Sequence, residues 1–443
     1  MDLPDYIVGA LQRLNDGGYK AYAVGGCVRD FLLGRQPADY DITTSAKPED
    51  IIRAFEGYHV IPTGIQHGTV TVVIDGVPVE ITTFRIDGDY SDHRRPESVS
   101  FTDSVEADLS RRDFTVNAMA CGLDGEIIDP FGGQSDLEKG VIRAVGDPVK
   151  RFNEDALRIL RALRFASRYG WVLEENTARA VHELKGLLND ISAERIRDEL
   201  CGIIIGDCEQ IMEDYSDVIC EIIPELAPSV GFEQHTKYHN KTVYGHIVAA
   251  MCAADKDVVF RLTMLLHDIG KPDAFFMKDG VGHFYGHADI SVEIARKVLN
   301  RLRFPNKIRD KVLFLVQNHG VVMQDSEKYF RRAAAKYGEE GFFELVKVHI
   351  FDNMGKAEQY QYEAEEFRKI QQHAREFFDK EPALSLKNLA VSGGDLITLG
   401  YKGIEIGKAL DFLLNETAEG KCENDKKKLL GYLEEHYDGD KRG

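Results

Sequence analysis

The sequence is poor in the features that define several large protein classes. Its 443 residues include only seven cysteines, an odd number with no CxxC pair. A disulfide scaffold is therefore excluded, and reduced thiols in a cytoplasmic setting are expected. No apolar run approaches the roughly 20 residues a bilayer demands, and the opening Met-Asp-Leu-Pro-Asp lacks the basic segment and apolar core of an export signal. Positive charge is in deficit: 55 basic against 74 acidic residues give a net charge of −19. Indiscriminate nucleic-acid binding is thus disfavoured, and a polyanionic ligand must be held by a local basic surface or by metal ions. Repeats and low-complexity tracts are also missing. What is present is ordinary globular material, 43% apolar and 29% charged, long enough for about three domains.

The first ~140 residues mix β-branched runs with turn signals. Tyr22 to Val24 precede Gly25-Gly26, and Val70 to Ile74 and Val77 to Phe84 flank Asp75-Gly76. An Asp-Gly pair between two such runs predicts a tight hairpin, because both central positions need positive φ. From about residue 150 the apolar period becomes helical, through Leu157 to Ala166, Ile196 to Ile205 and Val258 to Leu266. Pro224, Pro228 and Gly231 mark a boundary near residue 230, and Pro382 marks another. The predicted class is α+β, a small N-terminal sheet followed by helical segments.

Gly25-Gly26 leads into Cys27 to Leu33 with Gly34 as its cap, and strand, glycine turn and helix start together make a phosphate cradle to which Arg29 adds a mobile charge. Downstream, Asp39-Tyr40-Asp41-Ile42 reads as a strand whose alternation points both carboxylates to one face. Two such acids repel unless cations intervene, and Mg²⁺, which takes one or two carboxylates plus substrate phosphates, is the natural ion. Glu80, in an apolar run, becomes a third carboxylate for metal or proton if its strand lies beside Asp41. Arg111 to Ala118 gathers two guanidiniums with Asp113 and Asn117, groups suited to triphosphate and ribose. Glu154 to Arg164 reads as one helix with Arg158, Arg161, Arg164 and Arg168 in a stripe. Residues 143–168 hold seven basic and three acidic side chains, the local positive surface the composition requires. Asp155 and Arg158, one turn apart, form a fork able to read a base edge.

These motifs, with Asp129 to Gly133 and Glu194 to Leu200, resemble in order and spacing the class II nucleotidyltransferases, which include CCA-adding enzymes and bacterial poly(A) polymerases. The resemblance is strong over about residues 1–230 and weaker in the tail. It implies a polymerase-beta-like palm at 1–140, a base-selecting neck at 141–230, a helical middle at 231–380 and a tRNA-gripping tail at 381–443. Asp39 and Asp41 would hold the metals and Glu80 would be the third carboxylate. Arg112 and Asp113 would contact ribose, and Asp155 with Arg158 would pair with CTP and ATP without a nucleic-acid template. The implied partners are the tRNA 3′ end, CTP and ATP, not DNA or membrane. A full-length loop from Phe84 to Pro96 favours addition of C, C and A over A-only addition or poly(A) synthesis.

The middle carries His267-Asp268, with His246 upstream and His287, His319 and Asp352 downstream. This ordering resembles the HD phosphohydrolase superfamily. The resemblance implies a core metal set of His246, His267, Asp268 and Asp352, with His287 and His319 at positions that can support a second ion. A nitrogen- and oxygen-rich set suits Mn²⁺, Fe, Ni²⁺ or Mg²⁺, and a bound water would attack a phosphoester. Two other functions compete: a phosphohydrolase with a vestigial head, and a non-catalytic RNA- or nucleotide-binding protein. The intact acids of the head argue against both.

Overall fold

The computed structural model describes residues 3–88, 98–236, 240–380 and 386–437. By internal contacts the chain divides into two units. Met1–Ala227 with Val298–Phe304 form the first, and Pro228–Lys297 with Pro305–Gly443 form the second.

The first unit is built on a seven-stranded sheet. Its strands are β1 (Ala21–Val24), β2 (Asp41–Thr44), β3 (His59–Gly64), β4 (Thr69–Ile74), β5 (Val77–Thr83), β6 (Ala120–Cys121) and β7 (Ile127–Ile128), in spatial order β3-β4-β5-β2-β1-β6-β7. Asp75 at φ 50° and Gly76 at φ 80° close the β4–β5 hairpin as expected, with Ile74 opposite Val77. One face of the sheet buries Ile42, Val70, Val72, Val79 and Ile81 with Ile7, Leu11 and Leu14 of the helix Asp5–Asp16. The other face packs Val24 and Phe84 with Val105, Leu109 and Ala118. Alternation along β2 therefore sends Ile42 into the first core and Asp41 and Thr43 to the opposite side.

Register is what positions the head site. β1 and β2 are antiparallel with Val24 opposite Asp41, and β2 and β5 are parallel with Asp41 opposite Glu80. The glycine turn after Val24, Asp41 and Glu80 thus form a row across three adjacent strands, which lie about 4.8 Å apart in a sheet. Glu80 stands on the exposed side of β5, alternating with the buried Val79 and Ile81. Two sequence expectations need correction. β2 begins at Asp41, so Asp39 precedes the strand and does not share its alternation. The Glu154–Arg164 stretch is two helices, Pro148–Glu154 and Leu157–Tyr169, separated at Asp155, whose backbone is extended (φ −138°, ψ 102°).

The second unit is helical. Val243–Ala253, Val258–Leu266, Asn306–Asn318 and Glu339–Met354 pack together, and Glu363–Lys380 and Ile404–Ala418 follow. Gly355 permits one close approach: a Cβ there would lie 2.9 Å from both His246 Nδ1 and the Ala250 Cβ. Among the described residues, no helix is long and apolar enough to cross a membrane, and all seven cysteines are free.

Candidate active site and a second metal-ligand cluster

In the head, Gly25 (φ 79°) ends β1 and starts the helix Gly26–Leu32. A side chain at Gly25 would clash, since its Cβ would lie 2.9 Å from Arg112 Nη1. The missing side chain is what admits that guanidinium to the cradle. Asp41 is exposed to solvent, yet the protein around it and the neighbouring Glu80 and Asp39 carboxylates raise its pKa to about 6, with Arg112 opposing them. A carboxylate whose ionisation is opposed by its surroundings and by two neighbouring acids is one whose charge a divalent cation would relieve, so the donors fit Mg²⁺. The three acids do not, however, belong to the tight groups whose donor oxygens and nitrogens all gather within 4.8 Å.

Arg29 is 5% exposed and fixed, a correction to its reading as a mobile charge. It donates to Asp30 at 2.8 Å and to Asn117 Oδ1, and its guanidinium lies 5.3 Å from the ring centres of both Phe165 and Tyr169. Asn117 in turn donates to Asp113 Oδ1 at 3.1 Å, and Arg161 donates to Asp113 Oδ2 at 2.6 Å. Burial alone would raise the Asp113 pKa, but Arg161 and the Asn117 amide hold it down at about 2. Asp113 is thus joined to the arginine helix as well as placed near the cradle.

The Asp155–Arg158 fork is not formed. Asp155 accepts from the Leu157 amide at 3.1 Å and from Arg195 at 3.1 Å. Arg158 instead pairs with Glu154 at 2.9 Å and donates to the Arg111 carbonyl at 3.0 Å. The physical reason is the break at Asp155: outside the helix, its carboxylate turns to cap the next helix rather than face the residue one turn on. Arg164 pairs with Glu199 at 2.9 Å. Sequence reasoning passed over Arg195 and Glu199 although both lie in the Glu194–Leu200 motif, and it passed over Asp108, whose i+3 and i+4 spacing to Arg111 and Arg112 was a readable signal. The Phe84–Pro96 loop is described only in part. Arg85–Asp87 pairs with Val99–Phe101, while residues 89–97 lie outside the described residues.

In the second unit all six expected ligands converge. His246, His267, Asp268 and Asp352 form one group with donor atoms within 4.8 Å, and Asp268, His287 and His319 form another. Asp268 joins them. Its Oδ2 is 3.2 Å from the Nε2 atoms of His246 and His267, and its Oδ1 is 3.3 Å from His287 Nε2 and 3.7 Å from His319 Nε2. Backbone carbonyls bind the far side of three rings: Met264 holds His267 Nδ1 at 2.7 Å, Phe284 holds His287 Nδ1 at 2.8 Å, and Val316 holds His319 Nδ1 at 2.7 Å. With Nδ1 as donor, each ring turns its Nε2 to the centre, where that atom offers a lone pair whenever the ring is neutral. Two such lone pairs, on His287 and His319, face each other at 3.0 Å, an arrangement that calls for a cation. Burial works against protonating His267, but Asp268 and Asp352 raise its pKa to about 10, while their own carboxyls are held well below the usual range by the histidines and, for Asp268, by Lys271. Lys271, which sequence reasoning did not assign, lies 2.6 Å from Asp268 Oδ2 and donates to Gln234.

Comparison with known proteins fits this geometry. Residues 21–143 match the family model of the Poly A polymerase head domain, residues 171–211 that of the probable RNA and SrmB-binding site of polymerase A, and residues 283–433 that of a putative tRNA nucleotidyltransferase domain 2. The fold is similar to that of the Bacillus stearothermophilus CCA-adding enzyme in complex with CTP, at TM-score 0.69 and 29% identity over 98% of each chain. The Thermotoga maritima CCA-adding enzyme complexed with tRNA_CCA shares the fold alone, at TM-score 0.56 and 20% identity over 98% of this chain and 96% of that one. Residues 21–143 thus match a Poly A polymerase head domain, and the α+β fold with its helical body is similar to that of CCA-adding enzymes.

In sequence the chain is similar to curated CCA-adding enzymes. It is 49% identical to that of Lactobacillus helveticus over 230 residues, which is 51% of this chain and 57% of the relative. It is 52% identical to that of Geobacillus thermodenitrificans over 199 residues, 45% of this chain and 49% of the relative. The chain therefore spans about half the length of the curated relatives it matches.

Proposed function

We propose that this protein is a cytoplasmic tRNA nucleotidyltransferase that adds C, C and A to the tRNA 3′ end from CTP and ATP, without a nucleic-acid template. The carrying observation is the row formed by the glycine turn, Asp41 and Glu80 on three adjacent strands. Asp39 and Asp41 would hold Mg²⁺, which when bound supplies charge neutralisation for the triphosphate and the leaving pyrophosphate. The first amides after Gly25 and the Arg112 guanidinium receive the phosphates. The terminal hydroxyl oxygen of the RNA bonds to the α-phosphorus, the α–β phosphoanhydride bond breaks, and pyrophosphate leaves. Glu80 accepts the hydroxyl proton. Asp113 and Asn117 would meet the ribose, and Asp155, Arg158, Arg161 and Arg164 would have to exchange their partners Arg195, Glu154, Asp113 and Glu199 to offer acceptors and donors to the base. On this reading 1–140 is the head, 141–230 the neck, 231–380 an HD-type domain and 381–443 the tRNA-binding tail. Incubation with Mg²⁺, labelled CTP or ATP and tRNAs truncated at successive 3′ positions should extend each to CCA. No incorporation would reject the function, and A-only incorporation would assign the A-adding alternative.

A second activity is favoured by the converging ligands of the other unit. His246, His267, Asp268 and Asp352, with His287 and His319, would hold Mn²⁺, Fe, Ni²⁺ or Mg²⁺, which when bound supplies an activated water for phosphoester hydrolysis. Cyclic 2′,3′-phosphate at a damaged RNA end is the substrate that fits the head's need. Water adds to phosphorus, the P–O3′ bond breaks, and the oxygen takes a proton to regenerate the 3′-hydroxyl. Alanine at His267 and Asp268 should abolish both metal uptake, measured by elemental analysis, and hydrolysis, while nucleotide incorporation persists. Full hydrolysis by the double variant would refute it.

A further inference from the structure

Asp108 takes no part in the chemistry described above, yet it is the most fully engaged buried carboxylate beside the head site. It lies on the helix Val105–Ser110 and is 0% exposed. Its Oδ1 accepts from Arg111 Nε at 3.0 Å and Nη2 at 2.8 Å, and from the Arg85 amide at 3.3 Å. Its Oδ2 accepts from Thr43 Oγ1 at 3.0 Å and faces Arg112 Nη2 at 3.6 Å. These partners have distinct positions. Thr43 is two residues beyond Asp41 on β2 and on the same face of the strand. Arg112 lies against the Gly25 turn, and Arg85 begins the segment after Phe84.

The division of its bonds is unequal. Arg111 donates twice to Oδ1, a contact that uses its charge for structure. Arg112 is held by one looser contact, and its buried Nε has no hydrogen-bond partner among the described residues. Arg111 also lies 3.9 Å from Asp87 Oδ2, whereas Arg112 stands against the glycine turn with the 3.6 Å contact to Asp108 and the nearby charges of Asp41 and Asp113.

We infer that Asp108 is a positioning residue for the incoming nucleotide: it aims Arg112 at the phosphates and ties that aim to the strand bearing Asp41 and to the root of the Phe84–Pro96 loop. This inference rests on the nucleotidyl-transfer reading. It concerns binding of nucleotide, not of RNA, so the two Michaelis constants separate it from a purely structural role.

Asp108→Asn keeps the shape but removes the charge. Its KM for CTP and for ATP should rise on the order of tenfold, the loss of one charge-assisted contact, with the KM for tRNA unchanged. Because Asp108 is buried and the variant can fail to fold, Thr43→Val supplies a second test. It preserves volume, removes one bond to Asp108, and should raise the nucleotide KM by about threefold with the same selectivity. An inactive wild type would sink the nucleotidyl-transfer reading itself. With an active wild type, an unchanged nucleotide KM in a folded variant overturns only the role of Asp108. So does an equal rise for tRNA, or a fall confined to kcat.

Discussion

Asp41→Asn should stabilise the head while destroying its chemistry. The rise of the Asp41 pKa from 3.8 to about 6 comes first from protein crowding the inner side of a carboxylate whose residue still reaches solvent, and then from Glu80 and Asp39. Taken at face value it corresponds to about 3 kcal/mol of destabilisation by the ionised form. The group is solvent-exposed, and screening reduces this to roughly 1 kcal/mol. The sign follows from linkage. An acid whose pKa is raised on folding favours the fold fully below its unfolded pKa, and that contribution is lost as pH rises through about 6. The neutral amide should therefore raise the melting temperature of the head by about 2–4 °C near pH 8, and the gain should vanish as pH falls toward about 4. Scanning calorimetry across pH, with and without Mg²⁺, measures both effects. Mg²⁺ should stabilise the wild type more than the variant, because the variant has lost one of the carboxylates proposed to bind it. Incorporation should drop by about 10³, the equivalent of several kcal/mol of lost metal and transition-state stabilisation. A variant no more stable than wild type near pH 8, or equal stabilisation of both by Mg²⁺, would refute the reasoning.

Two other substitutions probe the site. Gly25→Ala puts a Cβ 2.9 Å from Arg112 Nη1 at φ 79°; it should destabilise by about 1–2 kcal/mol and raise the KM for both nucleotides, measured by denaturation and steady-state kinetics. Arg195→Ala frees Asp155 from its 3.1 Å contact while leaving the cradle intact. The ratio of CTP to ATP incorporation on tRNA lacking its last residue should shift by about tenfold, and an unchanged ratio would show that Arg195 does not orient Asp155 for base selection.

Much of the architecture was legible because its signals are local. The Asp75-Gly76 hairpin, the helix from Leu157 and the change from strand to helix along the chain follow from φ preferences and apolar period, which neighbouring residues decide. The convergence of His246, His267, Asp268, His287, His319 and Asp352 was also anticipated, although through resemblance: residues separated by up to 106 positions carry no mutual signal in composition or period. The failures are equally specific. Arg29 read as mobile because nothing local announced that Phe165, Tyr169 and Asn117 would enclose it. The Asp155–Arg158 fork assumed an unbroken helix, and the extended backbone at Asp155 turned that carboxylate to Leu157 and Arg195 instead.

By itself the sequence determined which residues could do chemistry: the glycine pair, the acids, the paired arginines and the histidines, each chosen by charge, donor type and backbone freedom. Only the tertiary structure decided which of them meet. Strand register placed Glu80 opposite Asp41 and Val24 opposite Asp41, and a half-buried ion pair joined Asp155 to Arg195 rather than to Arg158. Side-chain type is encoded residue by residue, whereas register and ion-pair choice are minima over contacts between distant segments, fixed only when whole faces of sheet and helix are buried together.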